Sequence, residues 1–550
     1  MSFVLWSVQQ FTKSKQLHLA NLIYNFILII LCVILAVGNI RLYGEWGTLV
    51  GDRAFNYLKY PEEAFASEST MNIVIFILVI ITSSVLLFLL FKRMCFNFSH
   101  VFENGKKKIA TICSMPIVLV FLIRGGFQLA PINESSAYYS LHTINNHIAT
   151  NQVWYFTHSL IDAESSRNPF VFMDNSEAEK LFNELKQKSA DTTTLNLKTP
   201  NVVFIILESW TADVVKELGG LENVTPSFSE LSKQGLLFTS CYSSGYRTEQ
   251  SLVSILSGFP AQPKHSIIST PEKSQKLPAI SLDLKDKNYA TLFFYGGETE
   301  FANMKSYLLN KGFEKIVEKK DFEKNEMSSK WGAHDEYVFR KMSERLKSEK
   351  EPFLSCLLTL SSHEPFQVPI ATPFSNKSDP EGFKREEFKS AIWYSDKCLG
   401  QFFEMSKNDN WFSNTLFVLV ADHGHWLPLL RNMNYSHSRK IPLLIFGEVL
   451  PNHLKGKKVE TITSQHDIPA ILLSLLNIPS EHYLFSKNTI NSSNGYAYYS
   501  NEEVLGWISK NDTCIYSFAN KQMIKGDSTS LGLKQSKAFL QTLYNTYLNY

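Results

Sequence analysis

No CxxC pair and no zinc-ribbon spacing occurs among the seven cysteines of this 550-residue sequence, Cys32, Cys95, Cys113, Cys241, Cys356, Cys398 and Cys514. That removes thioredoxin-like redox chemistry and a cysteine-built structural zinc site. Scattered core thiols are the reading their spacing favours, although the last four could pair as disulfides, in no order that spacing reveals. A charge bias is also missing. The 54 Lys and Arg against 52 Asp and Glu leave a net +2, so charge makes no case for nucleic-acid binding. Internal repeats and long low-complexity tracts are absent, which sets aside solenoids and biased-composition arrays.

What is present is an asymmetry in hydropathy. Charge-free apolar runs lie at about Leu19–Ile40 and Met71–Phe91, and a shorter one at about Ile109–Ile123. Crossing a bilayer core takes roughly 20 apolar residues, and a cleaved signal peptide does not account for several runs. Lys13 and Lys15 precede the first run, and Lys92, Arg93, Lys106, Lys107 and Lys108 separate the second from the third. Between the first two, Arg41, Arg53 and Lys59 are spread among Glu45, Asp52, Glu62, Glu63 and Glu68. Basic segments stay inside, so the large C-terminal part is expected outside, with Arg124 snorkelling at the outer end of the third run. Residues 1–125 are thus expected to form a multi-pass transmembrane domain. Residues 126–198 read as a connector. It carries the aromatic stretches Tyr138-Tyr139-Ser140-Leu141 and Trp154-Tyr155-Phe156, an amphipathic helix over Asp174–Lys188 and a polar loop over Ser189–Thr199.

An α/β pattern follows over residues 199–480. Asn201–Leu207, Thr291–Tyr295, Phe353–Leu360 and Thr415–Ala421 are continuous apolar runs, the signature of strands buried on both faces of a parallel sheet. Thr225-Pro226 suits a helix start, with Thr as N-cap and Pro first, and Gly235 suits its end. A β-like run, Gly235–Ser240, leads into the turn Tyr242–Ser251, and the helix-compatible Leu252–Leu256 leads out, stopped by Gly258 and Pro260. The turn sets the Thr248 hydroxyl near a helix N-terminus, where free N–H groups suit an anion. Most threonines so placed are caps; this one can act as a nucleophile if a metal lowers its pKa.

Ligands of open α/β sheets gather at the carboxyl ends of the strands. Three strands end in ligand chemistry: Glu208 after the first, Ser361-Ser362-His363 after the third, and Asp422-His423-Gly424-His425 after the fourth. A carboxylate, a carboxylate–imidazole pair and the Thr248 hydroxyl can converge on one metal ion there.

These pieces resemble the sulfatase/alkaline-phosphatase superfamily, and within it the membrane-anchored lipoteichoic acid synthase branch of phosphoglycerol transferases. The stretches that carry the resemblance are Asn201–Trp210, Thr225-Pro226, Gly235–Thr239, Tyr246–Pro260, Gly312-Phe313, Thr359–Phe366, Ala421–His425, His437–Phe446 and Gln465–Pro469, in the family's order. The family carries more spans than are found here, so this N-terminus is expected to be shortened or to begin late. The resemblance implies Glu208, Thr248, Asp422 and His423 as ligands of one divalent cation, Mn²⁺ or Mg²⁺, with Thr248 also the nucleophile. It implies His363 as a substrate-side histidine. The donor would be a phospholipid, the acceptor an envelope glycan or glycerol, and the place the bacterial cytoplasmic membrane with the catalytic domain outside. The family's substrate-holding His, Trp and Arg fall at Tyr295, Ala302 and Met304, which puts the head group in question. Glu298, Glu300 and Asn303 nearby could favour an amine-bearing group, so Tyr295, Glu298, Asn303 and His425 join His363 as substrate-binding candidates. The tail, residues 481–550, resembles the small antiparallel sheet that ends such domains, with strands at Gly495–Ser500, Glu503–Ile508 and Cys514–Phe518, a closing helix and no site.

A formylglycine sulfatase is disfavoured, because Thr248-Glu249-Gln250-Ser251-Leu252 holds no C/S-x-P-x-R pattern. A phosphoethanolamine transferase, with Zn²⁺ and some of His425, His437 and His466, stays open. So do a phosphodiesterase with water as acceptor and a catalytically inactive scaffold on the same fold.

Overall fold

The computed structural model describes residues 7–8, 14–51, 54, 70–95, 104–128, 130–161, 167–186, 195–375, 377, 379–492 and 495–550. Lys13, Asp52, Arg53, Lys59, Glu62, Glu63 and Glu68, which carry part of the expected charge asymmetry, lie outside the described residues, as do 187–188 of the expected amphipathic helix and 189–194 of the expected polar loop. The chain divides into two compact units, Met1–Ser165 and Ser166–Tyr550.

In the first unit, α1 (Lys15–Trp46) and α2 (Thr70–Cys95) pack together, Phe26 meeting Phe88 edge to face at 4.8 Å. Among the described residues, two helices, Lys15–Gly44 and Met71–Met94, are long and apolar enough to cross a membrane. Their side chains are largely exposed, unlike those of a core helix in a soluble protein. The third expected span is a 20-residue helix, α3 (Gly105–Arg124), but it includes Lys106, Lys107, Lys108, Pro116 and Arg124 and does not join those two.

The second unit is built on a nine-stranded sheet. Its order is β4 (Lys315–Val317), β3 (Ala290–Tyr295), β5 (Phe353–Leu358), β1 (Asn201–Leu207), β6 (Thr415–Ala421), β7 (Lys440–Phe446), β2 (Leu236–Tyr242) and β8 (Lys458–Val459), with β9 (Thr463–Ser464) also on β2. β7 runs antiparallel to β6 and β2; the remaining pairings are parallel. Eight strands therefore share one direction and point their carboxyl ends at one edge. β1, β5 and β6 are buried along their whole lengths, which is why, Asn201, Ser355 and Thr415 apart, their residues are apolar in a continuous run rather than at alternate positions. A second sheet, β10 (Tyr496–Ser500), β11 (Val504–Ser509), β12 (Thr513–Ser517) and β13 (Met523–Lys525), is antiparallel. The amphipathic helix expected from Asp174 is α4 (Asn175–Leu185); its Phe182 packs on Phe539 of the closing helix, Leu531–Asn549.

The Thr225-Pro226 start is real, but the cap is not threonine's. The helix α5 (Pro226–Ser232) begins after Thr225, whose hydroxyl donates instead to Val214 O at 2.9 Å. Asp396 takes the role, accepting from Ser227 N at 2.7 Å and Phe228 N at 2.9 Å. Sequence reading misses this because the capping residue comes from the helix Arg385–Ser406, far along the chain. Nor does Gly235 end that helix. It lies against β7, where a Cβ would sit 2.7 Å from Ile445 O. The four cysteines beyond the first unit, Cys241, Cys356, Cys398 and Cys514, are buried and free.

Burial pushes the Asp396 carboxyl up to about 6, above its unfolded value near 3.9. Its protonation therefore adds stability below about pH 4 that is lost as pH rises through about 6. Urea unfolding of residues 166–550 is expected to show that decline and Asp396→Asn to abolish it, while Asp396→Ala costs about 1–2 kcal/mol through the lost cap. Identical pH profiles for wild type and Asp396→Asn would remove Asp396 from this role.

Candidate active site

The register of the sheet builds the site. Leu207 and Ala421 are partners at the ends of β1 and β6, so the next residues, Glu208 and Asp422, leave adjacent strands side by side. Both are buried. The turn after Glu208 is sharp: Ser209 sits in the left-handed region at φ 59, a cost tolerated where the surroundings fix it. In that conformation Ser209 N donates to Asp422 Oδ1 at 2.8 Å and Ser209 Oγ to Glu208 Oε1 at 2.8 Å. His423 N donates to the same Asp422 Oδ1 at 2.6 Å. Gly424 follows because nothing larger fits; a Cβ there would meet Ser438 O at 2.0 Å.

Thr248 arrives from the other side of the sheet. β2 delivers the turn to the same edge, and α6 (Thr248–Ser257) starts at the threonine itself, with Arg247 as its N-cap residue and Gly258 closing it in the left-handed conformation. Thr248 is thus not a cap. Its Oγ1 donates to Glu208 Oε2 at 3.2 Å. His423 Nε2 stands 3.9 Å from Glu208 Oε1 and 3.5 Å from Asp422 Oδ2. Its Nδ1, 2.9 Å from Gly424 O, donates to that carbonyl, which leaves Nε2 turned to the carboxylates. That arrangement orients a metal-ligating histidine.

The electrostatics favour a cation. Asp422 Oδ2 is buried with no hydrogen-bond partner. Burial, then the charge of Glu208, push the Asp422 carboxyl well above its ordinary value. Burial would raise Glu208 too, but the His363 and His423 imidazoles and the Ser209 hydroxyl hold it below. Two adjacent buried carboxylates cannot both carry unbalanced charge; a proton or a metal must stand between them. One ligand atom each from Glu208, Asp422 and His423 lies within 4.8 Å of the others. A first-row divalent ion about 2.1 Å from its ligands sets them roughly 3.0–3.5 Å apart, so the donors fit one ion after small adjustments. With the Thr248 hydroxyl the set is three oxygens and one nitrogen, a hard donor set.

The expected substrate-side residues divide. His363, partly exposed after β5, donates from Nδ1 to Glu364 O at 2.9 Å, leaving Nε2 available. Tyr295 ends β3, and burial, then the charges of Glu208 and Asp422, push its phenol up, which keeps it neutral beside the site. Glu298 is 2.9 Å from Lys319, and Glu300 is 2.7 Å from Lys305, so both carboxylates already have lysine partners. Asn303 donates to Ser269 O at 3.3 Å. Met304 is buried in the core. His425 stacks on Phe388 at 4.6 Å, and burial, then His423, lower its pKa to about 3. His437 is exposed, and His466 is buried 5.9 Å from the Phe539 ring. Among the described residues, none of these three joins the Glu208–Asp422–His423 group.

Sequence reasoning missed Trp331. Its ring lies 4.5 Å from that of His363, and its Nε1–H donates to the same Glu364 carbonyl at 2.7 Å. It lies outside the apolar runs, in a loop where periodicity carries no signal. Glu249 was also missed; burial raises its carboxyl beside Arg247, His423 and Glu208.

Structural comparison gives the class. The chain superposes with TM-score 0.60 on a protein of the alkaline phosphatase superfamily from Vibrio parahaemolyticus, at 25% identity, covering 70% of this chain and 98% of that one. A lipoteichoic acid synthase from Listeria monocytogenes superposes with TM-score 0.55 at 17% identity over 68% and 98%. The sulfatase family model matches residues 200–478, just over half of the chain, and the chain belongs to that family. Lipoteichoic acid synthase 2 of Bacillus subtilis is 23% identical over 471 residues, 81% of this chain and 68% of that one. Phosphoglycerol transferase I of Xanthomonas campestris is 27% identical over 201 residues, 35% and 28% of the two chains. This chain spans about half the length of two further Bacillus subtilis relatives, 47% and 55%.

Saturating Mn²⁺ is expected to stabilise residues 166–550 by about 2.7 kcal/mol at roughly 100 times its Kd, and EDTA to reverse it. Asp422→Asn should leave the metal-free protein at least as stable, because it removes the like-charge contact, while abolishing the metal-dependent gain. A full Mn²⁺ response in Asp422→Asn, read by thermal melting, would place the ion elsewhere.

Proposed function

We propose that the protein is a membrane-anchored, metal-dependent transferase. It moves a phosphoglycerol-type head group from a phospholipid to an envelope glycan or glycerol acceptor through phosphorylated Thr248. The observation that carries this reading is the Thr248 hydroxyl hydrogen-bonded to Glu208 at the head of a Glu208–Asp422–His423 group whose two carboxylates are buried. The lipoteichoic acid synthases and phosphoglycerol transferases among its relatives support it.

A divalent cation, Mn²⁺ or Mg²⁺ by its oxygen-rich ligands, lowers the pKa of the threonine hydroxyl when bound and offsets charge on the phosphoryl oxygens. The residues do the rest. Thr248, fixed at the start of α6 with its hydroxyl towards Glu208, is aimed from the helix N-terminus at an incoming phosphodiester. Its hydroxyl proton passes to Glu208 Oε2, to which it already donates, and returns when the threonine is displaced; its oxygen attacks in line, and diacylglycerol leaves with a proton from His363 Nε2. His363 then takes a proton from the acceptor hydroxyl as that oxygen displaces the threonine. Only Nε2 is placed for this, because Nδ1–H is committed to Glu364 O. Trp331, against the His363 ring and bonded to the same carbonyl, keeps the imidazole from turning. The apolar α1 and α2 hold the domain where lipid donor and envelope acceptor meet, in the bacterial cytoplasmic membrane with residues 166–550 outside.

Incubation of the Mn²⁺-loaded protein with phosphatidylglycerol is expected to add one glycerol-phosphate increment by intact mass, absent in Thr248→Ala. A phosphoethanolamine increment from phosphatidylethanolamine with Zn²⁺ moves the head group to that class, and no increment from either lipid ends the transferase reading. His363→Gln should lower turnover by about 10²–10⁴-fold while keeping the Mn²⁺-dependent stabilisation. Loss of both together would make His363 structural.

A further inference from the structure

A phosphodiester that reaches Thr248 brings negative charge to a site already built from carboxylates, and a cation from the chain itself is needed to hold it. Most basic side chains near this edge are tied down. Arg431 is bound through two nitrogens by Asp213 at 2.9 and 3.1 Å, Lys319 by Glu298, Lys305 by Glu300 and Glu318, and Lys384 by Glu364. Arg439 is buried, donating to Gly245 O and Met433 O at 2.8 Å each.

Arg247 differs. It immediately precedes Thr248, and its guanidinium makes one ion-pair contact, Nη2 to Glu502 Oε1 at 3.3 Å, with both side chains about half exposed at 53% and 50%. The same nitrogen donates to Tyr246 Oη at 3.0 Å. An exposed ion pair of this kind is worth little, whereas arginine bound to phosphate through two N–H groups is among the strong charge-assisted pairs.

The partners are arranged for an exchange. Tyr246 Oη donates to Glu502, 2.7 Å from Oε1 and 2.6 Å from Oε2. Glu502 therefore keeps a hydrogen bond when the arginine leaves. Two guanidinium groups lie near the Tyr246 ring, with Arg247 Cζ at 5.1 Å and Arg439 Cζ at 5.4 Å from its centroid. Glu502 sits in the turn between β10 and β11, which the neighbouring Asn501 side chain fixes by accepting from Glu503 N at 2.9 Å and Val504 N at 2.8 Å. Ser500 N bonds Ser244 O at 3.0 Å, so the small C-terminal sheet is joined to the turn that carries Thr248.

We propose that Arg247 is a phosphoryl-binding side chain, parked on Glu502 in the free enzyme and transferred to a non-bridging oxygen of the substrate phosphodiester when it binds. This rests on Thr248 as the attacked-phosphate site. The ligand class is a phosphate monoester or diester. The C-terminal sheet, through Glu502, is part of the active site as the competitor that substrate displaces.

The test is inorganic phosphate binding by the Mn²⁺-loaded full chain in detergent, measured by calorimetry. Arg247→Gln is expected to weaken phosphate at least about tenfold, and Arg247→Lys to recover part of that. Glu502→Gln should bind phosphate as tightly as wild type or tighter, because the competing carboxylate is gone; a merely structural pair would make both variants fail alike. Unchanged affinity in Arg247→Gln, a matching loss in Glu502→Gln, or no phosphate binding by wild type overturns the proposal. The Thr248 adduct, read separately by intact mass, keeps the two readings apart. Arg247-dependent phosphate binding without an adduct sinks the transferase and leaves the subsite; an adduct that forms equally well in Arg247→Gln does the reverse.

Discussion

Two carboxylates forced together without water are the constraint on which the second unit turns. Glu208 and Asp422 are neighbours because β1 and β6 are paired in register up to Leu207 and Ala421. They are buried because those strands lie in the middle of the sheet. The surrounding polar groups serve this pair. Thr359 Oγ1 accepts from Glu208 N at 2.8 Å, and Ser362 Oγ donates to Glu208 O at 2.6 Å. Gln465 Nε2 donates to the carbonyls of Ala421 and Asp422 at 2.9 and 2.5 Å. Such a backbone, pinned on several sides, can hold repelling groups at a fixed distance until a cation joins them.

Apolar burial provides the stiffness that polar pinning needs. β1 and β6 are sealed on both faces, and α6 contributes Leu252, Ile255 and Leu256 to the same core. Moving Thr248 would therefore mean moving a packed helix, and close-packed interiors resist displacement of that kind. The small sheet adds a second support. Tyr498 Oη and Ser500 Oγ both donate to Ala261 O at 3.1 Å, just beyond the end of α6. A side chain whose helix is held at both ends has the preorganisation that the in-line attack proposed for Thr248 requires.

Much of this was legible in the sequence, for physical reasons. A strand buried on both faces carries a continuous apolar run, so Asn201–Leu207 and Thr415–Ala421, each apolar after its first residue, declare themselves with the same bounds that they have in the structure. A left-handed Gly258 at a helix end and acidic residues just past strand ends are local signals too. What was not legible depends on contacts distant in sequence. Asp396 caps a helix some 170 residues before it, Trp331 braces His363 from a loop, and Glu502 reaches Arg247 from a segment read as empty of function. Composition could not show that Glu298 and Glu300 were already matched with lysines. Four strands, β4, β8, β9 and β13, are only two or three residues long and carry no period to read.

The central claim is that Glu208, Asp422, His423 and Thr248 hold one divalent ion and that the threonine is thereby made reactive. Anomalous scattering at the manganese edge from crystals of residues 166–550 grown with Mn²⁺ tests it directly. The account predicts a single strong peak within about 2.0–2.4 Å of the Thr248 hydroxyl, both carboxylates and His423 Nε2. A peak that excludes Thr248, or none at this edge of the sheet, would contradict it.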